Sequence, residues 1–210
     1  MKRTNMWAGM SLCLIANVAA ADIIGVSGAG QLVSPPMSLD AGAFDSATTV
    51  FAMNERQDIA LPYNLSVDWS ENGMLGDTAS LRGNTIPAGT RVSSHLIHMD
   101  TDTDIQMLIE ASFTFDRPIL GIIVTRKNLL ASDVDLGFAT TLYSLNEWRG
   151  VELDALDRVS VDLESNSVWV RLQQTTEVDE VRVITGVVPA PGSLALLGGA
   201  GILGGRRRRR

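Results

Sequence analysis

From residue 105 to residue 116 the side chains alternate in kind. Ile105, Met107, Ile109, Ala111, Phe113 and Phe115 occupy the odd positions, and Gln106, Leu108, Glu110, Ser112, Thr114 and Asp116 the even ones. A period of two lines one face of a β-strand with apolar groups, whereas a helix would scatter the same residues around its axis. The pattern predicts a half-buried strand, long enough to bend or bulge near Ala111. Ile119 to Val124 is an unbroken apolar run, which suits a strand covered on both faces. Val159, Val161 and Leu163 alternate with Arg158, Ser160 and Asp162; after Glu164 to Ser167, Val168, Val170 and Leu172 alternate with Trp169, Arg171 and Gln173. That is a hairpin. Further strands fit Thr48 to Met53, Asn64 to Trp69 and Glu180 to Thr185, and no stretch of the body keeps a helical period beyond two turns. Short strands, frequent Gly and Asp turns and no strand–helix–strand rhythm predict an all-β fold, an antiparallel β-sandwich of jelly-roll-like kind.

Charge narrows the function. The 210-residue chain carries −7, yet Lys2, Arg3 and Arg206 to Arg210 supply seven cations at its two ends; the remainder holds 10 basic against 24 acidic residues, or −14. Such a surface repels phosphate backbones, so no nucleic acid is expected as a partner. One Cys and two His exclude a thiol nucleophile, a disulfide framework and a cysteine-rich zinc site.

Lys2 and Arg3 precede an apolar run from Met6 to Val18 and the small residues Ala19, Ala20 and Ala21. This is the layout of a secretory signal peptide cleaved near Ala21. About 13 apolar residues at 1.5 Å each span only about 20 Å of a roughly 30 Å hydrocarbon layer, which argues against a membrane anchor. Cys13 falls inside that run, so the exported chain is expected to contain no cysteine.

The other end places Val188, Pro189, Ala190 and Pro191 before an apolar stretch from Leu194 to Leu203 and then five arginines, Arg206, Arg207, Arg208, Arg209 and Arg210. Proline stops the preceding strand, the apolar stretch enters a bilayer, and the arginines hold the cytoplasmic side. This order resembles the PEP-CTERM sorting signal of bacterial surface proteins, with Ala190 where that motif has Glu and with Gly198, Gly199, Gly201, Gly204 and Gly205 within or after the apolar stretch. The segments Ser94 to Asp100, Phe115 to Thr125, Leu129 to Gly137, Arg149 to Val161 and Val181 to Thr185 also resemble an extracellular domain that recurs upstream of such signals. The resemblance implies export through the Sec machinery with signal peptidase, processing by an exosortase, transient anchoring in the inner membrane of a Gram-negative cell, and exopolysaccharide as a neighbour. The chain then divides into a signal peptide at 1–21, a β-domain at 22–187 and a sorting signal with a short apolar helix at 188–210.

Candidate chemistry is sparse. Asp100, Asp102 and Asp104 imitate the opening of a calcium loop, but Ile105 stands where Gly is needed at position 6 and Ala111 where Glu is needed at position 12. A solvated acidic turn explains them more simply, and turn chemistry explains Asp133 and Asp135. No cofactor is expected beyond that possible calcium ion. His95 and His98 fall on opposite faces of a strand and cannot share a metal; a packed, hydrogen-bonded histidine is the expectation. If Leu163 pairs with Val168, Asp162 lies opposite Trp169 and Ser160 opposite Arg171, a flat polar face with an indole on which a sugar ring stacks. Trp69 and Trp148 read as core or rim residues, and Arg149, Glu152, Asp154 and Asp157 as surface ion pairs or turn caps. Gly25, Gly28 and Gly30 follow no predicted strand, and neither a nucleophile elbow nor a phosphate loop occurs. The expectation is a non-enzymatic secreted surface or matrix protein with a structural or adhesive role. A carbohydrate-binding module using Trp169, Asp162 and Arg171 is the alternative, and a glycoside-active enzyme ranks last.

Overall fold

The computed structural model describes residues 22–75, 81–101, 107–152, 156–173 and 177–186. The segments expected to be a signal peptide and a sorting motif, including Val188 to Pro191 and Arg206 to Arg210, lie outside the described residues, as do Asp102, Asp104 and Asp154. The described chain is mostly β. Its strands are β1 (Ile23–Gly28), β2 (Gly30–Leu32), β3 (Ser38–Leu39), β4 (Val50–Asn54), β5 (Ile59–Ala60), β6 (Leu65–Val67), β7 (Gly73–Leu75), β8 (Asn84–Ile86), β9 (Arg91–Met99), β10 (Leu108–Phe115) and β11 (Ile119–Ile123). After α1 (Arg126–Leu136) come β12 (Leu142–Tyr143), β13 (Arg158–Asp162), β14 (Ser167–Gln173) and β15 (Asp179–Gly186).

Two sheets carry the core. The first runs β1-β10-β14-β13-β7 and is antiparallel throughout. The second runs β11-β15-β9-β4-β2, with β5 also on β9; its one parallel pair is β2 with β4. Phe113, Phe115, Val159, Val168 and Val170 of the first sheet share one apolar cluster with Ala52, Ile97, Ile122, Val181 and Val183 of the second. The alternation over residues 109–115 does place Ile109, Ala111, Phe113 and Phe115 inside. Met107 is exposed, and the pairing of β10 with β14 runs unbroken from Leu108 to Thr114. The irregularity expected near Ala111 lies instead on β1, between Ile23 and Gly25. Gly25 and Gly28 sit within β1, and Gly30 opens β2.

The outer face of the second sheet is covered as well. Every residue of β9 after Arg91 is buried, as are Asp179 to Thr185 of β15. Leu129 and Leu136 of α1 join Val92, Ile123 and Ile184 in a second cluster there, and Leu39, Met53 and Leu96 form a third. The helix corrects the sequence expectation, because Asp133 and Asp135 lie on it and not in a turn. Its buried face is Leu129, Ser132 and Leu136, and a stripe that is one-third polar leaves little apolar periodicity to read. Its start is secured from outside: Asp68 Oδ2 accepts the N–H groups of Val124 and Thr125 at 2.8 Å and the Thr125 hydroxyl at 2.9 Å, while Asn128 donates to Oδ1. Among the described residues no helix is long and apolar enough to cross a membrane.

Candidate functional site

The strand pattern that builds the second sheet also sends charges into the space beneath α1. On β15, Val181 and Val183 enter the inter-sheet core, so Glu180 and Arg182 must point the other way. His98 lies opposite Glu180 and Leu96 opposite Arg182. Capped by the helix, this face is dry.

Arg182 is fully enclosed and uses all five of its N–H donors. Nε and Nη2 grip Glu55 at 2.8 Å each, Nη2 also reaches Asp133 at 2.9 Å, and Nη1 donates to Ser132 Oγ at 2.6 Å and to the Leu129 carbonyl at 3.2 Å. Arg149 repeats the device, donating to Glu180 at 2.6 Å and to both oxygens of Asp133 at 2.6 and 3.0 Å. Tyr143 lies beneath both guanidinium groups, 5.5 and 5.4 Å from its ring centre, and its hydroxyl donates to Glu55 at 2.7 Å. His98 Nδ1 meets Glu180 at 3.1 Å and Nε2 meets the Phe44 carbonyl at 3.3 Å. Both ring nitrogens are thus engaged, which fixes the ring between β15 and the 42–46 loop. Arg149 and Arg182 between them hold three carboxylates, Glu55, Glu180 and Asp133.

Burial alone would raise the Glu180 carboxyl, but Arg149 and His98 outweigh it and hold it below the usual glutamate range. Burial likewise works against the Arg182 cation, and Glu55 and Asp133 raise it on balance. Burial, reinforced by Glu55, pushes the Tyr143 phenol up. With its donors spent and no solvent route to Arg182 or Glu180, this network clamps α1 onto the sheet and offers no nucleophile or vacant ligand position. The reading of Arg149 and Asp157 as surface residues is corrected: both are buried, Arg149 between Asp133 of α1 and Glu180, and Asp157 beside Asp179 and the N–H of Gln173.

His95 faces the inter-sheet core, 4.9 Å from the ring of Phe115, with Nδ1 on Asn54 at 2.7 Å and Nε2 on Thr185 at 3.1 Å. The two histidines do lie on opposite faces. Burial lowers the His95 imidazole to about 4, against a small opposing pull from Asp22.

The hairpin face is arranged differently from the expectation. Val161 pairs with Val168, a register two residues away from the one assumed, so every side chain keeps its face but changes its partner. Trp169 lies between Ser160 and Ser112, and Arg171 between Arg158 and Glu110. Asp162 lies opposite Ser167 and is held by the turn, where it accepts from the N–H groups of Glu164 and Ser165 and from the Ser165 hydroxyl. Trp169 is half-buried, and Asp162 and Arg171 do not converge on it as opposed partners. Trp69 is a core residue. Trp148, by contrast, is 56% exposed and lines an open depression of about 220 Å³ with Arg126, Glu147 and Glu152.

Two acidic groupings remain. Asp100 is buried; its Oδ2 accepts the Gly42 N–H at 2.6 Å and its carbonyl accepts the Ser46 N–H, so it organises the 42–46 loop, and burial raises its carboxyl. The other grouping is Glu152, Asp157 and Asp179, whose carboxylate oxygens lie within 4.8 Å of one another. Gly150 brings Glu152 there: its N–H bonds to Val178 and its carbonyl to the Glu180 N–H. Only glycine fits at that joint, since φ is +123° and a Cβ would lie 2.3 Å from the Val124 carbonyl oxygen.

The fold and site together define a mostly antiparallel β-protein whose single described helix is locked to a sheet by two buried arginines. No family model, curated protein or solved structure matches the chain.

Proposed function

We propose that the chain is a secreted protein, exported through the Sec machinery and sorted by an exosortase to the cell surface or extracellular matrix, where its β-domain is a structural or adhesive element. The order of parts at 188–210 carries this reading: a proline motif, an apolar stretch and a block of fixed cations behind a folded domain. The domain suits the role in two ways. Its exported part has no cysteine, so it draws its rigidity from packing and from the saturated ion network, neither of which depends on redox state. The chain also passes from one sheet to the other at β9–β10, β10–β11 and β14–β15, the habit of a jelly-roll-like sandwich. Contact with exopolysaccharide falls to Trp148 more readily than to Trp169, because its ring is open to solvent between Arg126 and Glu147.

Fractionation of a Gram-negative host that carries an exosortase tests the sorting step. The product of the complete sequence, processed at both ends, is expected in the envelope and matrix fractions, and deletion of residues 188–210 is expected to release it from the envelope into the soluble exported fraction. An unchanged distribution, or full-length protein confined to the cytoplasm, contradicts the reading.

A further inference from the structure

The carboxylates of Glu152, Asp157 and Asp179 meet where the two sheets end together. Asp157 leads into β13 of the first sheet, and Asp179 opens β15 of the second. Glu152 arrives on the segment that Gly150 pins to β15. Asp157 and Asp179 are 0% and 1% exposed. One oxygen of Asp157 accepts the Gln173 N–H at 2.7 Å, but its Oδ2 and the Oδ1 of Asp179 are buried with no hydrogen-bond partner. Buried carboxylate oxygens without donors are costly, and three carboxylates side by side add mutual repulsion. Arg158 Nη1 donates to the main-chain carbonyl of Asp157, and Arg171 Nη2 to that of Leu156.

We propose that Glu152, Asp157 and Asp179 form a calcium site that ties the end of the first sheet to the start of β15. The donor set is oxygen alone, which selects a hard cation over zinc or copper. Oxygens bound to one calcium ion at 2.3–2.6 Å stand no more than about 4.6–5.2 Å apart, and these three lie within 4.8 Å of one another. Bound calcium would neutralise most of the charge and give both orphaned oxygens a partner. The carboxyl of Asp179 is raised well above the aspartate range by burial and then by Asp157, Glu152 and Glu177, all acidic. Asp157 is raised by burial in the same direction. The site is separate from Asp100, whose Oδ2 is committed to Gly42.

Thermal unfolding of the full chain, stripped with a chelator and then given calcium chloride alone, tests the site. A ligand held only by the folded state raises Tm, and at about 10 mM calcium with the 0.1–1 mM affinity usual for extracellular sites the rise is about 3–10 °C. Asp179→Asn and Asp157→Asn keep the side-chain volume and are each expected to abolish the rise, while Asp100→Asn keeps it. No calcium-dependent rise in the unaltered chain overturns the proposal; that outcome, with stability increasing on acidification, would mean that a shared proton relieves the triad. A rise that survives both variants overturns it too, by placing the ion elsewhere.

Discussion

Replacing Arg182 by methionine is expected to cost about 3–5 kcal/mol of folding stability, the penalty for leaving buried charges without their partner. Glu55, a buried carboxylate, would lose two charge-assisted bonds at 2.8 Å, and the partly exposed Asp133 one at 2.9 Å. The carbonyl of Leu129 and the hydroxyl of Ser132 would lose a donor in the same change. For a domain of this size the loss corresponds to a fall in Tm of about 6–20 °C. Lysine should not rescue it, since one ammonium cannot reproduce a five-donor fork. Combining Arg182→Met with Glu55→Gln should recover a large part of the loss, because the second change removes the orphaned charge. Urea unfolding of the two single variants and the double variant measures the coupling directly. Additive losses would show that the pair contributes nothing beyond its packing.

A second large effect is expected on acidification. His95 titrates near 6.5 when unfolded and at about 4 in the folded chain, because burial against Phe115 disfavours the imidazolium. The unfolded chain therefore binds a proton that the folded chain refuses. The sign follows: the contribution is fully present above about pH 6.5, falls as pH drops, and is lost as pH passes about 4. The interval is worth about 3 kcal/mol. His95→Gln retains a polar side chain for Asn54 and Thr185 without titrating, so its stability should decline less steeply between pH 6.5 and 4 than that of the unaltered chain. Glu180, held down by Arg149 and His98, also loses stabilisation on acidification, and the difference between the two chains removes that background. Parallel pH profiles would contradict the assignment.

The inter-sheet core was legible because it obeys a strict rule: alternation over 109–115 and 158–172 states which residues turn inward whatever lies beyond them. Register was not, since a two-residue slip between β13 and β14 preserves every inward face and changes only the partners of Trp169 and Arg171. The ion network escaped for a related reason. Glu180 and Arg182 alternate with valines as solvent-facing residues do, and they are buried only because α1 covers them. That helix was hidden in turn because Ser132 and Asp133 occupy the positions where an apolar stripe would have announced it. The acidic triad joins residues 152, 157 and 179, and only the fold brings the last of these to the first two. Its local signal was Gly150, which stands at a positive φ just before Glu152.

The claim that the chain is exported and sorted rests on its two ends, and the intact mass of the protein recovered from a native envelope tests it most directly. The expected mass is that of a chain beginning at or next to Asp22 and ending within Val188 to Pro191, so that neither Lys2 and Arg3 nor Arg206 to Arg210 remain. A mass equal to all 210 residues, with both cationic ends in place, would contradict it.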